Sequence, residues 1–453
     1  MRYFSLVVLI SAIVFIIIGC GKAPVTESGG DIFAIVTINP VDGSDEVPIG
    51  SPIRVTFSNT IDSSSAVKSV FEFKLESNSR IVHVAGEVIV SDNELIFIPQ
   101  DNFLIHEQYS VTLSSRLKSV AGQFLEIEYT WRFSTGDGTG YYWGEKDITS
   151  PLFVHVMEWG NGKFMAFGGD AIDYVFATSP DGFTWQPSYN MSSIVHCMTF
   201  WQSKYIIGCF EPTTILYSDD GLVWNAGQTD GFYPIMIRAM ASNDDILVAI
   251  GYQAYVDSSG IYYLAMKSSD GVNWTEAAID FPADTSTIGD ICWTGSEFVI
   301  VMSSSGFDSN TYFITSSNGT DWSTSTVPSD EDCCYPVSAI ASSGDMTVAV
   351  GSNRFYYSDD NIHWSYTDID MSSETYLEMR DVIWDGSKFI AVGRKSVNYI
   401  YGGAVVYTSV DGKYWRESFL VPSNDTFSSI AWSGSRLILG TSAFDGKIFY
   451  SPY

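Results

Sequence analysis

Ser268-Ser269-Asp270-Gly271-Val272-Asn273-Trp274 is one of six copies of a single pattern: Ser, then Asp or Asn two residues on, then Gly or Asn, and Trp three residues later. The other copies run Ser179 to Trp185 around Asp181, Ser218 to Trp224 around Asp220, Ser316 to Trp322 around Asn318, Ser358 to Trp364 around Asp360, and Ser409 to Trp415 around Asp411. The Trp-to-Trp steps are 39, 50, 48, 42 and 51 residues, close to the 40–50 residues of one four-stranded propeller blade. Asp-Gly between two strands is a hairpin signal, Gly supplying the positive φ. Asn361 replaces it once, and Asn tolerates that region best among residues with a side chain. The Asp carboxylate is expected to accept backbone N–H groups across the turn, and the Trp to pack on the next repeat.

A second pattern alternates with the first and occurs seven times: an apolar strand, a short turn, then another apolar strand. Val156 to Trp159 with Phe164 to Gly168, and Val382 to Trp384 with Phe389 to Gly393, are examples. These read as the two inner strands of each repeat. The seventh copy lacks a Trp strand before the chain ends, and an unused one, Tyr141-Tyr142-Trp143, stands at the start. The segment around Trp143 is therefore expected to complete the last repeat and leave no open sheet edge. The expectation is an all-β chain, an Ig-like β-sandwich followed by a seven-bladed β-propeller at 137–453. The six Trp motifs resemble the Asp-box, or BNR repeat, of the sialidase-like superfamily, but are one residue shorter between Asp and Trp.

Residues 32–136 alternate with period two, as in Ile53-Arg54-Val55-Thr56-Phe57 and Tyr109-Ser110-Val111-Thr112-Leu113. Each such strand buries one face of an antiparallel sheet. Asn39-Pro40-Val41-Asp42-Gly43, Val47-Pro48, Leu95 to Pro99 and Trp131 to Thr135, in this order, resemble the SbsA-type bacterial Ig-like domain. That resemblance implies a spacer or adhesion module without catalytic residues.

At the N-terminus Arg2 precedes an apolar run from Leu6 to Ile18, then Gly19-Cys20. The run is short for a membrane span, which needs about 20 apolar residues, and reads as a secretory signal over 1–19. Ile17-Ile18-Gly19-Cys20 resembles a bacterial lipobox. That implies lipidation at Cys20 and a lipid bilayer as partner, at the outer membrane where the cell has two. An uncleaved anchor or an ordinary signal peptide would be the alternatives. Residues 20–31 read as a flexible tether.

The chain has 53 Asp and Glu against 23 Lys and Arg, a formal charge of -30, which repels nucleic acid. No spacing suggests a metal or cofactor, and a monomer is expected. Cys197 and Cys209 flank one hairpin, one residue out of register, which leaves a disulfide between them open.

Propeller ligands bind where the innermost strands begin. Aligning the seven strands puts His155, His196, Arg238, Gly289, Ser338, Arg380 and Ser428 at that mouth, with Asp290 and Asp381 just inside. Either the cations focus an anionic ligand, or they pair with Asp290, Asp381 and nearby loops to stitch the mouth. Long loops at 252–262, 303–311 and 394–403 add Tyr252, Tyr255, Tyr262, Tyr263, Tyr399 and Tyr401 on that side. Sialidase chemistry needs three Arg on a carboxylate, a Tyr with a Glu, and an Asp. The propeller holds only six Arg, and Arg238, Arg380 and Arg394 make a triad only by selection. The function expected is a non-catalytic binding or scaffold module for a glycan, peptide or protein. A glycan-cleaving enzyme and an assembly factor for an envelope complex are the alternatives.

Overall fold

The computed structural model describes residues 32–66, 71–77, 80–100, 103–104, 106, 107–136, 143–148, 153–169, 174–210, 214–229, 234–254, 261–283, 285–304, 310–328, 336–369, 375–398, 400–422, 425–442 and 446–451. Cys20, Cys333, Cys334, Tyr255 and Tyr399, and with them the signal and tether, lie outside the described residues. The chain divides into two compact units at Gly136/Asp137.

The first unit is a two-sheet sandwich. One sheet orders Ile35–Asn39, Ile53–Phe57, Glu94–Pro99 and Gly86–Ser91. The other orders Ser44–Val47, Tyr129–Thr135, Gln108–Leu113, Phe71–Ser77 and Arg80–His83. Alternation puts Ile53, Val55 and Phe57 inward, all buried. Phe73, Phe103, Tyr109 and Phe133 pack ring on ring at 4.8 to 6.0 Å in the core.

The second unit contains seven four-stranded sheets. Six are consecutive in sequence, beginning at Phe153, Val195, Pro234, Thr285, Val337 and Thr375. The seventh combines Phe427–Trp432, Leu437–Thr441 and Lys447–Tyr450 with Gly144–Asp147 from the start of the unit. Gly144 pairs with Tyr450 and Asp147 with Lys447, as the unmatched Trp strand requires. Trp143 stacks on Phe419 of the sixth sheet at 6.2 Å. The innermost strand of each sheet lies against that of the next, and the seventh against the first.

Packing between neighbours on both sides explains the apolar runs. Phe298–Ser304, Thr347–Gly351 and Leu437–Thr441 are buried at every residue. A strand covered on both faces has no reason to alternate, and each fully buried Val, Leu, Ile or Phe contributes roughly 1.5–3 kcal/mol.

The six Trp turns have the expected hydrogen bonding. In each, one oxygen of Asp181, Asp220, Asp270, Asn318, Asp360 or Asp411 accepts the N–H groups two and three residues on, at 2.7–3.0 Å. The preceding Ser hydroxyl donates to the same side chain. The direction of Trp packing differs from the expectation: each turn curls onto the preceding sheet, not the next. Trp224 stacks on Phe176 at 4.9 Å, Trp364 on Phe313 at 3.6 Å, and Trp415 meets Phe355 edge-on at 4.9 Å. Trp185 joins the seventh-sheet residues Ile438 and Ile448. Trp274 lies in the core shared with the second sheet, and Trp322 against that shared with the third. The turn glycines press the same way: a Cβ on Gly221 would stand 2.1 Å from Met165, and one on Gly271 2.6 Å from Ile206. Asn361 uses its amide instead, donating to Glu297 of the preceding sheet at 2.9 Å.

Every innermost strand carries a β-bulge at the same place. The breaks in register fall at Val154/Val156, Val195/Cys197, Ile237/Ala239, Ile288/Asp290, Val337/Ala339, Met379/Asp381 and Phe427/Ser429. In six sheets a glycine sits opposite: Gly168, Gly208, Gly251, Gly351, Gly393 and Gly440. These are the glycines that close the second apolar strand in sequence. The fourth sheet instead places Gly289 in the bulge itself. A Cβ on Gly351 would lie 2.0 Å from the Pro336 carbonyl oxygen, so the bulged backbone approaches closely only over a glycine. Gly351→Ala should therefore cost about 2–4 kcal/mol, the range of overpacking in a rigid core or somewhat above it. Urea unfolding checks this; a cost below about 0.5 kcal/mol would show that the bulge does not need the glycine.

Candidate functional site

The bulge is what builds the mouth. The extra residue of each bulge is, in order, His155, His196, Arg238, Gly289, Ser338, Arg380 and Ser428. These are the seven positions aligned from sequence, and a bulge re-aims the side chain it carries. The three that begin the ring, His155, His196 and Arg238, stand on consecutive innermost strands that lie side by side. His155 is exposed and His196 and Arg238 are half-buried. The His155 ring sits edge-on to Phe153 at 4.9 Å, with Phe167 and Tyr174 each 6.2 Å away.

Electrostatics keep both imidazoles neutral near pH 7. Burial pushes the His155 pKa down. Burial, then the Arg238 guanidinium, then His155 push His196 down to about 4.

Arg380 does not join this group. It is ion-paired to Glu378, which also holds Arg394. Glu378 was missed from sequence, although it lies only two residues before Arg380; the bulge at Met379/Asp381 breaks the strand alternation between them and leaves the two side chains ion-paired. Arg394 is the cross-strand partner of Glu378, so Arg380 and Arg394 share one carboxylate rather than forming part of a triad with Arg238.

Asp290 and Asp381 make no hydrogen bond to the cations of the mouth, although the Arg238 charge acts on Asp290; their hydrogen bonds go to backbone N–H groups and the Ser429 hydroxyl. Asp290 accepts from Ile291 N–H at 2.8 Å and, across to the next innermost strand, from Ile340 N–H at 3.2 Å. Asp381 accepts from Val382 N–H at 2.8 Å, and on the next strand from Ile430 N–H at 2.9 Å and the Ser429 hydroxyl at 3.2 Å. Ser429 continues the chain by accepting Met157 N–H of the first sheet at 3.1 Å. Ser428 donates to Val154 O at 2.5 Å. The stitching expected as the alternative to a ligand site thus exists, between strands rather than between cations and carboxylates.

Below the mouth a third carboxyl, Glu158, was missed although it is the lone charge in an otherwise apolar strand after His155. Burial raises its pKa to about 8, with the charge of Asp381 adding to the effect. Burial likewise raises Asp290 to about 6, and Asp381 to about 7 with Asp290 contributing. All three keep some accessible surface, as side chains facing the axis of a ring would, yet protein surrounds them closely enough for desolvation to dominate.

Cys197 and Cys209 are free thiols. Cys209 belongs to the core against the first sheet and Cys197 packs on that against the third. The one-residue offset points them to opposite faces, which rules out the bridge left open by sequence. Tyr252 and Tyr263 pack on each other at 5.4 Å, and Tyr263 on Phe281 at 5.7 Å. Among the described residues no group of three or more His, Cys, Asp and Glu is placed to hold a metal ion, and no helix is long and apolar enough to cross a membrane.

Residues 31–135 match the family described as bacterial Ig-like domain. No curated protein matches the chain in sequence. In shape the chain is similar to virginiamycin B lyase from Staphylococcus aureus, at 8% identity and a TM-score of 0.50, with 68% of this chain and 98% of that one covered. It is similar also to the extracellular domain of a one-component system from B. thetaiotaomicron, at 12% identity and a TM-score of 0.50, covering 69% of this chain and 40% of that one. The WD40 domain of Neurospora crassa Pan2 matches at 8% identity and a TM-score of 0.47, covering 69% and 96%. At such identities the likeness to the first two shows the β-propeller-like fold alone.

The three axial carboxyls make a testable linkage. Their folded-state pKa values lie above the unfolded ones, so the stability they favour is present below about pH 4 and is lost as pH rises through 6 to 8. Glu158→Gln should gain thermal stability over the native protein as pH goes from 6 to 9. Paired melting curves across that range check the sign, and a constant offset would show that Glu158 ionises normally.

Proposed function

We propose that this is an exported surface protein, lipid-anchored at Cys20, whose Ig-like domain and tether act as a stalk and whose propeller binds a glycan, peptide or protein without cleaving it. The Ig-like domain, a type found on cell surfaces, and the apolar N-terminal run support export. We read the six Trp turns as Asp-boxes of the shorter form, serving structure rather than catalysis, since their carboxylates are consumed by the turn itself.

One observation carries the binding assignment. His155, His196 and Arg238 stand together on adjacent strands, and none makes a hydrogen bond or ion pair with the described residues. Every other charged side chain picked out at the mouth is engaged: Arg380 by Glu378, Asp290 and Asp381 by backbone. Half-buried polar groups are normally paired with protein or water. The half-buried His196 and Arg238, with the exposed His155 beside them, are what a ligand could take over without breaking the fold. The same arrangement argues against sialidase-type cleavage, because Arg380 and Arg394 are both already bound to Glu378.

Three measurements test this reading. A panel of fluorogenic glycosides at high protein concentration should show no turnover; turnover lost in Arg380→Ala would make the protein a glycosidase. Metabolic labelling with palmitate should mark the native chain and not Cys20→Ala; equal labelling of both, or of neither, would remove the lipid anchor. Capture of a defined envelope complex in place of any soluble ligand would favour the assembly-factor reading.

A further inference from the structure

The chemistry of the three free groups narrows what they hold. Arg238 carries one positive charge, always present. His155 and His196 are neutral near pH 7, and a neutral imidazole offers one donor and one acceptor. The one fixed positive charge at the mouth is therefore a single guanidinium, partly offset by the Asp290 carboxylate it acts on, with two side chains beside it that suit hydroxyls. Behind Arg238 stand Asp290 on the adjacent fourth-sheet strand, then Asp381 and Glu158, and the whole chain carries -30. A polyanion would meet one cation and a large repulsive field, so one isolated negative charge fits better than several.

Resting on the binding assignment above, we propose that Arg238, His155 and His196 recognise a monoanionic, hydroxyl-bearing carboxylate, namely an acidic sugar residue of a glycan. Arg238 takes the carboxylate through its fork of donors, and the imidazoles exchange hydrogen bonds with ring hydroxyls. The bulges present all three toward one side of the ring. Arg380, across the strand of Ser428 from His155, is neutralised by Glu378 and contributes no second anion position.

The test uses the purified full chain and four probes: D-galacturonate, D-galactose, acetate and acetyl-diglycine, a small peptide with a free C-terminal carboxylate. Binding is read from the imidazole C–H and Arg238 side-chain NMR signals. Galacturonate should shift all three residues and bind at least about tenfold more tightly than galactose, the margin of one charge-assisted contact, and at least about tenfold more tightly than acetate, the margin of the hydroxyl hydrogen bonds. In Arg238→Gln the preference for galacturonate over galactose should vanish. In His196→Ala galacturonate should weaken about tenfold while acetate is unchanged, which a merely structural role for His196 would not produce. Acetate or acetyl-diglycine binding as tightly as galacturonate would overturn the sugar assignment and leave an anion site standing. If no probe moves any of the three residues, the binding assignment fails with it.

Discussion

One extra residue in each innermost strand governs the second unit. A bulge breaks the ladder, turns a side chain out of the sheet face toward the ring's end, and repeats seven times at one level. It is possible because the facing strand removes a side chain: a Cβ on Gly168 would stand 1.7 Å from the Phe153 carbonyl oxygen. The glycine that ends each second strand is thus the cause of the mouth, and the fourth sheet, with Gly289 in the bulge, reaches the same geometry from the other side.

Around that level the ring manages its exposed backbone. An innermost strand pairs on its outer side only, so its axial N–H groups need other acceptors. Asp290, Asp381 and Ser429 supply them, and each reaches into the next sheet. The cost is desolvated carboxyls close together, which explains why their pKa values climb with Glu158 among them. Strength at the rim comes from a separate device. The Trp turns lock each sheet to its predecessor, and the first strand of the unit, carried by Trp143, performs the same task for the seventh sheet.

The division of labour among the mouth residues follows from these constraints. Asp290 and Asp381 are spent on backbone N–H groups, Arg380 on Glu378, and Ser428 on neighbouring carbonyls. What remains, His155, His196 and Arg238, makes no hydrogen bond or ion pair with the described residues, although the His155 ring packs on Phe153 and the Arg238 charge acts on Asp290. A fold with this repetition offers many equivalent positions and needs only some of them for closure, which frees the others for recognition.

Much of this was written in the chain. Spacing of the Trp motifs, the apolar pairs and the orphan strand at Trp143 determined the repeat number and its closure, because turn chemistry and burial on both faces are local in sequence. The seven bulge positions were also legible, since an equivalent place in each repeat must take an equivalent place in the ring. Three things were decided only by tertiary structure. The Trp turns lean on the preceding sheet, a matter of how neighbours twist together. Asp290 and Asp381 serve backbone on the adjoining strand, and that partner is some 50 residues away in sequence. Glu378 claims Arg380 and Arg394 at once, so which cations stay free depends on side-chain geometry that no spacing within a single strand records.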